Sequence, residues 1–244
     1  MVQKAICSTM SMRRFARVFN VSRTTVKRKI EFLAQEARLN QEEWLKSQES
    51  TFDFVQFDDL ETFESTKCKP LSVTLFVESE KLKILGFSVS SIGAKGKLSK
   101  IAQKKYGKRT NNSKEKRDEL FLKLKPYISK TAEIRSDKHP HYTSPIAKHF
   151  PDCRHLNYKS RKACVTGQGE LKAGGYDPLF NINQTFAMLR DNLKRLSRRT
   201  WCTTKKVEAL EDQLSIYVDF HNQFLKTKKK KLPKSNRKRQ QQAS

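Results

Sequence analysis

The chain has 244 residues, the length of one or two domains, and its 51 Lys and Arg against 25 Asp and Glu leave a net charge of +26. Apolar residues are only 36%, yet 15 Phe suffice for a core, so the composition excludes a collagen-like or wholly disordered chain. No stretch approaches the roughly 18 apolar residues of a membrane span, and five scattered Cys without a C-x-x-C pair give no zinc site and suit a reducing compartment. The opening MVQKAICSTMSMRR lacks the apolar run of a secretory signal. A surplus of this size points to a polyanion, nucleic acid foremost, although a ribosomal or membrane surface would select the same charge.

Residues 1–50 read as helices, with apolar residues at helical spacing through Phe15, Ala16, Val18 and Phe19, then Val21, Val26, Ile30 and Leu33. Asn20 suits a left-handed turn position and Ser22 an N-cap. The runs TFDFVQFD, LSVTLFV and KLKILGFSVS within 52–92 predict three strands, antiparallel to one another. Residues 94–125 read as helical with a break near TNNSK. ISKTAEIRSD reads as a strand ending at Asp137, and a short helix is expected over 143–150. Residues 157–179 are loop-rich. Phe186, Leu189, Leu193 and Leu196 form one face of a helix expected from Ile182 to about Ser197, and a last helix is expected from about Thr204 to Phe224. Residues 226–239, KTKKKKLPKSNRKR, are basic without an acid and predict a tail that orders only on an anion.

Two groups of residues carry chemistry. SMRRFARVFNVSRTTVKRKIEFLA has the pattern of a helix-turn-helix. The start of its second helix would offer Arg23, Thr24 and Thr25 to base edges, with Lys27 and Arg28 on phosphates. The plainer alternative is an amphipathic hairpin with a solvated basic face. The second group is acidic: Asp58 closes FDFVQFD and Asp137 closes AEIRSD. Two carboxylates on neighbouring strand ends could hold divalent cations for in-line phosphoryl transfer, although acids after strands are also common turn residues. Strand alternation sends Asp58 and Asp59 to opposite faces, so only one of them can belong to such a site.

A helix-turn-helix followed by β-β-β-α-β-α, with the blocks VQFDDLETFE (55–64), SDKHPHY (136–142), HLNYKSRK (155–162) and DPLFNINQTFAMLRDNLKRLSRRTW (177–201), resembles the DDE transposases of bacterial insertion sequences. The resemblance covers about residues 10–225 and implies an α/β fold with an N-terminal helix-turn-helix (1–50), an RNase H-like catalytic domain (51–225) built on a mixed sheet flanked by helices, and a basic tail (226–244). It implies metal ligands Asp58, Asp137 and, seven residues before the basic Arg190, Asn183. An Asn there would make an Asp-Asp-Asn set. Glu170 and Glu208 are the acidic alternatives, and a helix cap is the structural alternative for Asn183.

The same resemblance implies two Mg²⁺ or Mn²⁺ ions and double-stranded DNA, both element ends and target, as partner. It further implies a homodimer or larger assembly on that DNA and a cytoplasmic, nucleoid-associated location in a bacterium, with no membrane partner. Arg190, Lys194 and Arg198, with Arg195 and Arg199, would form a basic stripe on the DNA backbone. His139 and His141 could orient the site or simply bond locally. Trp201 is expected in the core or a lid, with stacking on a base as the alternative. Two rival functions stay open: a non-catalytic DNA-binding regulator with a decayed core, and an RNase H-like nuclease.

Overall fold

A computed structural model describes residues 1–159, 177–197 and 201–225. Three helices open the chain: α1 (Val2–Ile6), α2 (Met12–Val18) and α3 (Arg23–Lys46). Ser11 and Ser22 cap α2 and α3, their hydroxyls accepting from the Arg14 and Thr25 amides at 3.3 and 3.0 Å. Between the two helices Asn20 takes φ +49°, the left-handed position that lets the chain reverse in four residues. Helix α3 buries Val26, Ile30, Ala34 and Ala37, one stripe at spacings of three and four.

Strands β1 (Phe52–Phe63), β2 (Pro70–Glu78) and β3 (Ile84–Ser91) form an antiparallel meander. Helices α4 (Lys97–Tyr106) and α5 (Ser113–Leu124) then lead to β4 (Ile128–Asp137), which lies parallel to β1. Helix α6 (Thr143–His149) leads to β5 (Arg154–Tyr158), parallel to β4. The sheet order is β3-β2-β1-β4-β5. The architecture is therefore α/β, a five-stranded mixed sheet flanked by helices, as an RNase H-like core requires. Helices α7 (Phe180–Asn192) and α8 (Val207–Phe220) complete the described chain.

Both faces of the sheet are covered. On one, Phe57, Phe76, Val55 and Ile134 pack with Leu120, Phe121 and Leu124 of α5 and Tyr142 and Ile146 beside and within α6. Phe57 stacks on Phe76 at 5.0 Å, and Phe121 meets both rings edge-on. Helix α5 lies so close to β3 that a Cβ at Gly86 would stand 3.2 Å from Leu120. On the other face, Leu71, Val73, Leu75 and Val77 of β2 pack with Ile182 and Leu189 of α7 and Leu210 and Leu214 of α8. Ile6, Phe15, Val26 and Ile30 of the N-terminal helices enter this same cluster. The segment around residue 50 thus separates α3 from β1 in sequence while the two sides share a core. Asp219 of α8 reinforces the union, accepting from Gln3 at 2.8 Å and from Asn40 at 3.3 Å.

Four local expectations are corrected. Residues 154–158 form the edge strand β5, whose Asn157 and Tyr158 fall in the stretch expected to be loop-rich. The helix expected to reach about Ser197 stops at Asn192, because Leu193 leaves helical geometry (φ −102°, ψ 105°) and Lys194–Leu196 form one 3-10 turn. That break also interrupts the supposed basic stripe: Arg195 turns inward to donate to Gln213 Oε1 at 2.7 Å. Trp201, expected in the core or a lid, is fully exposed. Arg198, Arg199, Glu170 and the basic tail lie outside the described residues.

Candidate active site

The parallel register of β1 and β4 pairs Val55 with Ile134 and Gln56 with Arg135. Carried two residues further, it sets Asp58 level with Asp137. Paired residues share a face and successive residues alternate, so both carboxylates rise on the face of Gln56 and Arg135. They interact: burial is the first cause that pushes the Asp58 carboxyl up to about 7, and the Asp137 charge is the second. Asp137 is itself raised, chiefly by burial. Two acids at adjacent strand positions are thus held where neither ionises easily alone, an arrangement that a cation would relieve.

Each carboxylate is oriented by its neighbours. Asp58 Oδ1 accepts from the Tyr142 hydroxyl at 3.1 Å and from the Asp59 amide at 2.7 Å. Burial and the surrounding carboxylates push the Tyr142 phenol far up, so it stays a donor. Asp137 accepts from the His139 amide, while its Oδ1 is buried with no hydrogen-bond partner. An orphaned buried carboxylate oxygen is costly unless something cationic fills the space before it.

Asp59 points the opposite way, as alternation requires. It accepts from Thr74 Oγ1 at 2.5 Å and pairs with Arg117 of α5 at 2.7 Å. The Arg117 guanidinium also lies 5.0 Å over the Tyr142 ring. This Asp59–Arg117–Tyr142 group therefore braces the site from behind. Arg117 gave no signal in the lysine-rich run SKEKRDEL. The only hint for Tyr142 was its place in the block after Asp137.

The face that carries Asp58 also receives the start of α7. Gln56 Nε2 donates to the Pro178 carbonyl at 3.0 Å, and its Oε1 accepts from the Ile182 amide at 3.0 Å. Gln56 is 2% exposed, so this clamp is sealed from water. In the sequence Gln56 is one of several polar residues of this strand, and nothing marked it for the role. Asn183 is the next residue. It is exposed, and its Nδ2 donates to Asp177 Oδ2 at 3.1 Å, an acid that also caps the Leu179 amide. Glu208 lies in the first turn of α8. Among the described residues, no three His, Cys, Asp or Glu side chains gather to hold a metal. The acidic centre is the pair Asp58 and Asp137.

The other expected residues fall elsewhere. Arg23, Thr24, Thr25, Lys27 and Arg28 are exposed at the start of α3, as a reading helix would need. Thr25 Oγ1 shares a hydrogen bond with Ser22 Oγ at 2.9 Å, and Lys27 pairs with Glu31. Arg190 is half-buried near the end of α7, and Lys194 sits in the 3-10 turn. His139 and His141 stack loosely, with ring centroids 5.2 Å apart, and His139 lies 5.0 Å from the Tyr142 ring.

No family model and no curated protein matches the chain. Among solved structures it is similar to the crystal structure of the Mos1 strand transfer complex, at 9% identity and a TM-score of 0.34, over 87% of this chain and 70% of that one. A likeness this distant transfers no residue role. Among the described residues no helix is long and apolar enough to cross a membrane.

Proposed function

We propose that this protein is a DNA transposase that cuts and joins DNA strands at a divalent-metal site built on Asp58 and Asp137. The observation that carries the reading is the carboxylate pair: level on adjacent parallel strands by the β1–β4 register, on one face, both raised by burial with Asp137 raising Asp58 further, and with one buried oxygen unsatisfied. Oxygen donors of this kind suit Mg²⁺ or Mn²⁺. Two ions would be held by Asp58 and Asp137, with Asn183 of the adjacent α7 as third ligand after release from Asp177. Such ions, when bound, stabilise the charge that develops on a phosphate during in-line displacement.

The chain's own residues do the positioning. Tyr142 and the Asp59 amide fix Asp58 Oδ1, so the carboxylate presents one defined edge. The Gln56 clamp holds the first turn of α7 against the same face. The exposed start of α3 supplies Arg23, Thr24, Thr25, Lys27 and Arg28 for reading terminal repeats, and Arg190, Lys194 and Arg198 are proposed as backbone contacts. Two element ends must be held together for joining, which calls for at least two copies of the chain.

The test is incubation with the element's own end DNA, target DNA and Mg²⁺. The proposal expects end cleavage and a joined product, both lost in Asp58→Ala and Asp137→Ala while end binding persists. Removing acids beside DNA removes chemistry without removing phosphate contacts. Cleavage without joining would favour a nuclease, and specific binding without either would favour a regulator.

A further inference from the structure

Helix α4 has no buried residue. It belongs to a segment, 95–109, that carries seven Lys and Arg and no acid. Lys97, Lys100, Lys104 and Lys105 are exposed and make no ion pair among the described residues. A helix that buries no side chain fully and concentrates one sign of charge gains little from the fold around it, and its lysines repel one another.

Its neighbours extend the charge into a concave surface. Lys69, from the β1–β2 turn, places its ammonium 4.8 Å over the Tyr106 ring at the end of α4, and Lys105 lies over the same ring at 5.6 Å. A cavity of about 630 Å³ opens there, lined by Lys69, Tyr106, Lys108 and Arg109 together with the polar Ser99 and Gln103. The one carboxylate on it, Glu64, is already paired with Arg109 at 3.0 Å, while Arg109 Nη1 is buried without a partner.

The position of this surface selects its partner. Lys95 pairs with Glu61 at 2.6 Å. Glu61 stands three residues beyond Asp58 on β1, about 10 Å along the strand and, by alternation, on the Asp59 face; Glu64 follows just past the strand, about 20 Å from Asp58. The basic surface therefore lies past the end of β1 toward which both acids lie, within about 20 Å of them along the strand. Twenty ångströms is about six base pairs of duplex. We infer that α4 and its adjoining cavity grip the phosphate backbone of double-stranded DNA next to the stretch presented to Asp58 and Asp137. The assignment deepens the proposed DNA chemistry, adding a sequence-independent contact distinct from the α3 start. A flat anionic membrane is the less favoured partner, because the surface is concave, polar and beside the acids.

The test compares two variants of equal charge loss. One carries K97A, K100A, K104A and K105A; the other carries K46A, K81A, K123A and K130A, exposed lysines on other elements. Binding of a random-sequence duplex is measured by fluorescence anisotropy from 50 to 200 mM salt. The α4 variant is expected to lose at least 10-fold in affinity at 150 mM salt. The magnitude of its slope of log K against log salt should fall by about 3–4, since each phosphate contact contributes about 0.9. The control variant should change both far less. Equal losses in the two variants would overturn the assignment, as would an α4 variant that loses affinity only for phosphatidylserine vesicles. In the wild-type chain, bound duplex should also protect Lys100 and Lys104 from an amine-acylating reagent, and unprotected lysines would contradict the proposal without any variant. Because this readout needs no catalysis, it stands or falls separately from the loss of cutting in Asp58→Ala.

Discussion

Asp58 is a carboxylate that the fold holds at a cost. Its carboxyl is pushed from 3.8 to about 7 by burial and then by Asp137. A group whose folded value is raised contributes stability that is present below its unfolded value and lost as pH rises through the folded one. Ionised Asp58 therefore destabilises the metal-free protein progressively between about pH 4 and 7. Asp58→Asn should stabilise it at pH 8 by on the order of 4 kcal/mol, and the gain should vanish near pH 4; thermal melts at the two pH values in chelator check this, and equal gains would contradict it. Asp59, one residue on, is instead held by an ion pair. Arg117 is 5% exposed and pairs with it directly, so Arg117→Met strands a carboxylate and should cost about 2–3 kcal/mol. Adding Asp59→Asn should recover most of that loss in denaturant titrations. Two simply additive losses would mean that the pair is not coupled.

At the scale of elements, the link between α7 and β1 decides whether Asn183 can serve the carboxylates. Gln56→Leu removes both hydrogen bonds of the clamp and leaves the Ile182 amide unsatisfied, at about 1–3 kcal/mol. Amide exchange at Ile182 should then quicken, and cleavage should fall more than DNA affinity; unchanged exchange would remove the clamp from the account. The elements differ in how plainly the sequence announced them. The meander and β4 were legible because alternation and β-branched runs end at polar breaks; of the two acids expected at strand ends, Asp137 does end β4, whereas Asp58 lies inside β1, which runs on to Phe63 because its pairing with β2 continues past the acids. Strand β5 was not legible, since an edge strand of five residues, RHLNY, buries little and shows no alternation. The end of α7 was hidden because the apolar period runs on through Leu193 and Leu196 into the 3-10 turn, where both are still buried. Arg117 and Tyr142 join the site only through tertiary packing, which no local pattern encodes. Trp201 was misjudged because a large aromatic is usually buried, whereas here it is fully exposed.

The molecule as a whole is bound together across residue 50. Ile6, Phe15, Val26 and Ile30 share a core with β2, α7 and α8, so residues 51–225 alone should not melt cooperatively; a sharp transition for that fragment would contradict the shared core. The start of α3 projects beyond that core. Arg23→Ala should therefore weaken terminal-repeat binding by about 1–3 kcal/mol more than binding to random duplex, with no loss of stability. An equal loss on both would make that helix a backbone contact. The central claim is that Asp58 and Asp137 are ligands of a divalent cation in a DNA-cutting site. Its most direct test is the metal dependence of end cleavage by Asp58→Cys and Asp137→Cys. A thiolate is a poor ligand for Mg²⁺ and a better one for the softer Mn²⁺. The account predicts cutting abolished in Mg²⁺ and partly restored in Mn²⁺ for each variant, relative to the wild-type ratio. Cutting in Mg²⁺ at near wild-type rate by either variant would contradict it.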